Sequence, residues 1–204
     1  GFFSDQGVKS DLSVLARDFV EHQNDTPQRE FLGLSSSHMY NILNYRFDEN
    51  TDIVSFHPRI LWDDVESIPF LKQALYFLAS IEEKQPVPAT AQGNLPREFV
   101  KRIYENAVRE HLTVEIAHPR KEDDVREIGR LRYVLTYAGL IRKYSKSFSL
   151  TRNASRMLEK RDWSAIYTAI FDAHSFEYLW ENEDAYPELW LMQRSLIFNL
   201  YLLK

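Results

Sequence analysis

The run Ala138-Gly139-Leu140-Ile141-Arg142-Lys143-Tyr144-Ser145-Lys146-Ser147-Phe148-Ser149-Leu150-Thr151-Arg152-Asn153-Ala154 decides how the middle of this chain folds. Its second residue is a glycine, which reaches left-handed backbone angles without steric cost and so suits the residue after a helix. Leu140 to Tyr144 reads as one extended segment. Ser147 to Thr151 reads as a second, with Phe148 and Leu150 alternating against Ser147, Ser149 and Thr151, the period-two pattern of a strand with one buried face. The short spacer at Ser145-Lys146 makes the pair a β-hairpin, although it lacks the Asn-Gly that would fix the register. Thr151 or Asn153 then offers a side-chain oxygen to cap a following helix.

Upstream of this run the periodicity changes to that of helices. Residues from about Asp123 to Ala138 place Val125, Ile128, Leu131, Leu135 and Ala138 on one apolar face, with Asp123 and Asp124 at the positive end of the helix dipole. Residues from about 96 to 107 turn Phe99, Val100, Ile103 and Tyr104 inward. Residues 69–84 begin with Pro69, whose missing N–H costs nothing in a first turn, and carry a broad apolar face of Phe70, Leu71, Ala74, Leu75, Phe77, Leu78 and Ile81. Between these last two helices, Pro86-Val87-Pro88-Ala89-Thr90 is extended, and its prolines suit only an edge or short strand. Downstream, helices are expected at 153–159, at 163–180 and from Pro187 onward.

Nearer the start, Val8, Leu12, Leu15, Phe19 and Val20 have helical spacing, and Asp25-Thr26-Pro27 breaks that helix. A serine of Ser35-Ser36-Ser37 caps the next one, which turns Met39, Ile42 and Leu43 inward. Asp48 to Asp52 reads as an acidic loop, Ile53 to Phe56 as a short extended piece, and His57-Pro58 as a stop to helix continuity.

Helix, short strand, helix, helix, strand, strand, helix is the order of a winged helix, a helix-turn-helix variant with a hairpin wing. The wording at Ala138-Gly139-Leu140-Ile141 and at Leu150-Thr151-Arg152-Asn153-Ala154 resembles the "AGLI … LTxxG" run common in bacterial winged-helix regulators. Two departures stand out: Ala154 replaces the glycine, and the connection between the second and third helices is about 15 residues against the three or four of an ordinary helix-turn-helix. Further along the chain, Gly33-Leu34-Ser35 with Met39-Tyr40, Ala89 to Arg97, Leu150-Thr151 and Leu200-Tyr201-Leu202-Leu203 are together similar to an uncharacterised family of bacterial cytoplasmic proteins. That resemblance implies an architecture and a bacterial origin, and no activity; a cytoplasmic location is expected as well, in keeping with the absence of cysteine. Ala89-Thr90-Ala91-Gln92-Gly93 also echoes Leu150 to Ala154, as either a repeat or two turns with one capping solution.

Composition narrows the choices. The chain has 204 residues, no cysteine and a net charge of −5. The absence of cysteine removes disulfide frameworks, thiol nucleophiles and cysteine-ligated zinc. No apolar run approaches the ~20 residues of a membrane span, so no membrane partner is expected. Neither a basic start nor an apolar stretch follows Gly1, so no signal peptide is read there. The chain stops at Leu202-Leu203-Lys204 inside an apolar pattern, so the natural protein is expected to continue. The net charge conceals a pattern. Residues 1–68 carry 5 basic and 12 acidic side chains, residues 69–161 carry 18 and 11, and residues 162–204 carry 2 and 7. A basic centre between acidic flanks keeps a nucleic-acid partner open.

Three segments follow as expected domains: a helical and irregular one at 1–68, a winged-helix-like domain at 69–161, and an aromatic-rich helical one at 162–204. The fold class expected is mainly α with a small β-hairpin. The candidate nucleic-acid contacts are Arg126, Arg130, Tyr133 and Tyr137, spaced i, i+4, i+7 and i+11 on the polar face of the third helix, with Arg142, Lys143 and Lys146 on the wing. Arginine pairs bidentately with guanine, and tyrosine meets phosphate or a thymine methyl. The opposing reading is a solvated face with its tyrosines packed on a neighbour, and Glu122, Asp123, Asp124 and Glu127 put negative charge close by. The six histidines show no metal-binding spacing. His174 with Asp172 and Ser175 matches a hydrolase trio only in composition, with no Gly-x-Ser-x-Gly elbow. No cofactor and no catalytic residue is assigned, and an enzyme is not expected. Ten aromatics between Trp163 and Tyr201 form either core against residues 1–68 or an interface for a protein partner or second copy. Two functions therefore stay open: DNA binding, or a protein-interaction module that keeps the fold without DNA.

Overall fold

A computed structural model describes residues 5–47, 50, 52–57, 59–182 and 188–203; the side chains of residues 5–12 and 182 are not described. The side chains of Val8 and Leu12, most of the Asp48–Asp52 loop, Pro58, Tyr186, Pro187 and Lys204, on which sequence expectations rest, lie outside the described residues. In chain order the elements are α1 (Asp5–Asp25), α2 (Ser36–Asn44), α3 (Trp62–Glu66), α4 (Pro69–Lys84), β1 (Val87–Pro88), α5 (Arg97–Ile103), α6 (Arg126–Tyr137), β2 (Ile141–Tyr144), β3 (Ser147–Leu150), α7 (Arg152–Lys160), α8 (Trp163–Asp172), α9 (Leu189–Arg194) and α10 (Leu196–Leu202). The protein is mainly α with one small antiparallel sheet. None of the described helices is long and apolar enough to cross a membrane.

The chain forms two compact units, one from 56–187 and one from 1–55 with 188–204. The larger is built around α4, which buries Leu71, Ala74, Leu75, Phe77, Leu78 and Ile81. Phe70, expected on this face, is only half-buried. Phe99, Val100 and Ile103 of α5, Tyr104 just after it, and Ile128, Leu131, Val134 and Leu135 of α6 join the same core. The sheet order is β1-β3-β2, with Val87 opposite Phe148 and Ile141 opposite Leu150. As the alternation predicts, Phe148 and Leu150 point into the core. The two-proline strand β1 takes the edge, where a missing N–H is tolerated.

The hairpin closes through Ser145 and Lys146, with φ of 46° and 62°. Both positive values are those of a two-residue type I′ turn, here made without glycine or asparagine. At the end of α6, Gly139 has φ of +65°. Its N–H donates to Thr136 O at 3.0 Å, and the Leu140 N–H donates to Leu135 O at 3.0 Å. This pair of bonds is a Schellman closure. Thr151, rather than Asn153, caps α7: its Oγ1 accepts from the Ala154 N–H at 3.1 Å and donates to Gly139 O at 2.8 Å. The hairpin is thus tied at both ends to the last turn of α6. Thr90 does a different job, closing a turn by accepting from the Asn94 N–H, so the two Thr-x-x-small runs are not equivalent.

Three sequence expectations are revised. The second helix ends at Ile103 and continues as a wider π turn over Tyr104–Val108 and a 3-10 turn over Arg109–His111. The third starts at Arg126, because Glu122–Asp124 forms a separate 3-10 turn. Ile53 to Phe56 forms no strand.

Three aromatics of 163–180, Trp163, Tyr167 and Phe171, pack against residues before 69 within this unit. Phe56 meets Phe171 at 5.3 Å and Tyr167 at 5.9 Å, and Trp62 meets Trp163 at 5.1 Å between ring centroids.

In the smaller unit, Leu34, Ile42, Phe47, Ile53 and Ile197 are buried. Ser35 caps α2 by accepting from the His38 N–H, and the Tyr201 hydroxyl donates to Leu32 O at 3.0 Å. Met39 is half-buried, whereas Leu43 is exposed. Leu15 and Phe19 of α1 are each 64% exposed.

No atom outside the neighbouring residues lies within 4 Å of a Cβ built on Gly139. Gly139→Ala should therefore cost only its backbone strain, about 1 kcal/mol in urea unfolding. Gly139→Asn should cost less, because asparagine tolerates the left-handed region. Equal stability of all three proteins would contradict the Schellman closure.

Candidate nucleic-acid interface

The site begins with a charge that has to be neutralised. Glu122, in the turn before α6, is only 3% exposed. A buried carboxylate is tolerated when paired and hydrogen-bonded. Its Oε1 accepts from Arg132 Nε at 2.5 Å and its Oε2 from the Leu95 N–H at 2.9 Å. Burial works to lower the pKa of the Arg132 guanidinium, but the hydrogen bond and charge of Glu122 outweigh it and raise it. The same guanidinium lies 4.1 Å from the centre of the Tyr133 ring. One buried pair thus fixes the loop before α5, the turn before α6 and the outer face of α6.

The other carboxylates near this end of α6 differ. Asp124 Oδ2 accepts from the backbone N–H of Arg120 at 2.7 Å and of Lys121 at 3.0 Å. Those two bonds hold its carboxyl below the usual range. Asp123 pairs with Lys121 at 3.6 Å on the surface. Glu127 is half-buried. Glu122 is turned inward and Asp124 is occupied by backbone donors, which leaves Asp123 as the exposed acid on this side of the helix.

The structure brings Arg126, Arg130, Tyr133 and Tyr137 together as the floor of a cleft of about 600 Å³. Arg126 is exposed, and Tyr133 and Tyr137 are 46% and 52% exposed. The two tyrosine rings stack at 6.5 Å with 24° between their planes. Arg130 is half-buried, its guanidinium 5.5 Å from the Phe70 ring centre. Gly129 and Arg132 turn one edge of α6 toward Glu122, so Asn94, Glu122 and Asp123 make the wall there. Along the edge carrying Arg130, Phe70 packs on His174 at 5.4 Å, and the segment Ala173–Glu177 lies against α6. Glu177, Tyr178 and Leu179 form that second wall.

Arg142, Lys143 and Lys146 are exposed on the hairpin and do not line the cleft. Lys143 borders it: its Nζ donates to Gly93 O at 2.8 Å, next to Asn94. Gly93 has φ of +87°, and a Cβ there would lie 2.3 Å from Lys143 Nζ, so glycine is what lets the lysine approach. Sequence reasoning missed Arg132, the inward turn of Glu122 and the whole 177–179 wall. Only the wall carried a signal, as part of the aromatic-rich stretch.

Fold and site together define a mainly α protein in which one helix and a three-stranded sheet present a basic and aromatic face. Residues 66–163 match the family model of the Y4jL N-terminal domain. The matched stretch starts in α3 and ends at the first residue of α8, so it includes α6 and the hairpin but not the 177–179 wall. It supports the resemblance to an uncharacterised family. No curated protein and no solved structure matches the chain.

Glu122→Gln keeps an acceptor for Leu95 but leaves the Arg132 charge unpaired, and should cost about 3 kcal/mol. Arg132→Met should cost a similar amount. The double variant should lose clearly less than the sum, since removing both charges removes the unpaired one. Additive losses would show that the pair is not coupled. For Asp124, the folded pKa lies below the unfolded one. Its contribution is therefore complete above the unfolded value of about 4 and fades as pH falls through the folded value. Asp124→Asn should be less stable than the parent at neutral pH, with the gap narrowing as pH falls below about 4. A gap that stays constant as the pH is lowered through the acid range would contradict this.

Proposed function

We propose that the 69–161 region is a winged-helix module that binds nucleic acid through α6 and the hairpin. The observation that carries this reading is the topology. The order α4, β1, α5, α6, β2, β3 with a β1-β3-β2 sheet sets the outer face of α6 beside a hairpin bearing Arg142, Lys143 and Lys146. In a winged helix those are the surfaces that meet nucleic acid. The net +7 of residues 69–161 supplies the attraction to phosphate, and the inward turn of Glu122 removes one opposing charge. The absence of cysteine agrees with a cytoplasmic location and, with the resemblance of the sequence, with a bacterial origin.

A second reading is a protein-interaction module without nucleic acid. The exposed Leu15 and Phe19 of α1 favour it, because large apolar side chains left in solvent mark interaction surfaces.

Fluorescence anisotropy with labelled oligonucleotides separates the two. Binding at about 50 mM salt should weaken steeply as salt rises. Arg126→Ala with Arg130→Ala should weaken it at least about tenfold. The triple variant Arg142→Ala, Lys143→Ala and Lys146→Ala should flatten the log K against log salt slope by roughly 2–3. Absence of binding at low salt, together with a mass in solution that rises with concentration, would favour the second reading.

A further inference from the structure

We infer that the cleft over α6 holds an unpaired base, so that the interface takes a single strand rather than the major groove of a duplex. This rests on the proposed function and names its substrate class. The first argument is steric. An α-helix with its side chains is about 10–12 Å across and fills a major groove about 12 Å wide. A recognition helix therefore has to stand clear of its neighbours on both edges. Here α6 does not. Asn94 and Asp123 line the cleft beside one edge, and Tyr178 and Leu179 beside the other. Tyr178 is nearly buried, and its ring stacks on His174 at 5.9 Å, so this wall is packed in place. The groove cannot close around a helix lying between two walls.

The second argument is size and chemistry. A cleft of about 600 Å³ falls in the ordinary range for small-molecule sites and suits a nucleotide. Its floor carries the stacked pair Tyr133 and Tyr137, each about half exposed, to which a base can add as the next ring of the stack, and base–aromatic stacking is how proteins hold single strands without regard to sequence. Arg132 lies over Tyr133 and is itself held by Glu122, so the ring is positioned before any ligand arrives. Arg126 and Arg130 add positive charge on the same floor. Lys143, held at Gly93 O beside the cleft wall, adds a cation at its border, while Arg142, opposite Ser149, lies on the other face of the hairpin. A base in the cleft would send its phosphates toward Lys143 and the hairpin.

The test compares a labelled twelve-nucleotide DNA strand, the RNA of the same sequence, the matching DNA duplex and AMP, using the full chain at fixed salt. A single strand should bind at least tenfold tighter than the duplex, and the DNA and RNA arms show which backbone is preferred. Tyr133→Ala and Tyr137→Ala should each weaken single-strand binding by about tenfold, the usual range for loss of one stacked base. Both rings are half-exposed, so these variants should keep their fold, as thermal melts would confirm. Tyr133→Phe should restore binding, because stacking needs the ring and not the hydroxyl. AMP should compete only weakly, since it lacks the phosphates that follow the hairpin. Duplex binding as tight as the single strand, or binding unaffected by both alanine variants, overturns the cleft assignment and leaves nucleic-acid binding intact. No binding in any arm overturns both.

Discussion

The Glu122 carboxylate is the group on which the central region depends. It is buried, and removing an ion from water costs several kcal/mol unless the protein replaces the lost hydration. The replacement comes from two distant places, the Arg132 guanidinium and the Leu95 N–H. Satisfying that one group therefore fixes three segments: the turn leading into α5, the turn leading into α6, and α6 itself. It also decides which way Arg132 points, and Arg132 in turn covers Tyr133. An acid that would repel phosphate at the surface serves inside the fold to orient the residues around it.

The hairpin is held to the same helix from its other end. Gly139 ends α6 in a left-handed conformation, and its carbonyl accepts from Thr151, which also caps α7. Lys143 then reaches back to Gly93, one residue from Asn94 on the cleft wall. The face of α6 is consequently bordered along two edges by segments held by hydrogen bonds and packing. That rigidity is what a recognition surface needs, because order established before binding is not charged against affinity.

What the sequence revealed was local. The inward alternation of Phe148 and Leu150, the stop at Gly139 and the apolar face of α4 each follow from neighbours within a few positions, so periodicity finds them. The grouping of Arg126, Arg130, Tyr133 and Tyr137 was legible for the same reason. What it concealed was non-local. Glu122 and Arg132 look like two ordinary surface charges in sequence, and only the approach of Leu95 shows why they are buried. The 177–179 wall comes from a segment some forty residues beyond α6, and no helical spacing connects the two. Periodicity also failed between α5 and α6, where π and 3-10 turns replace a regular helix. The outer face of α6 was read correctly as a surface, but whether that surface stands clear or lies in a cleft depends on contacts that no local pattern carries.

Photocrosslinking tests the central claim most directly. A single strand carrying a photoreactive base is irradiated with the full chain, and the linked peptides are sequenced by mass spectrometry. The account predicts attachment at Tyr133 or Tyr137, with weaker attachment along Arg142–Lys146. Attachment confined to residues outside α6 and the hairpin, with Tyr133 and Tyr137 unmodified, would contradict it.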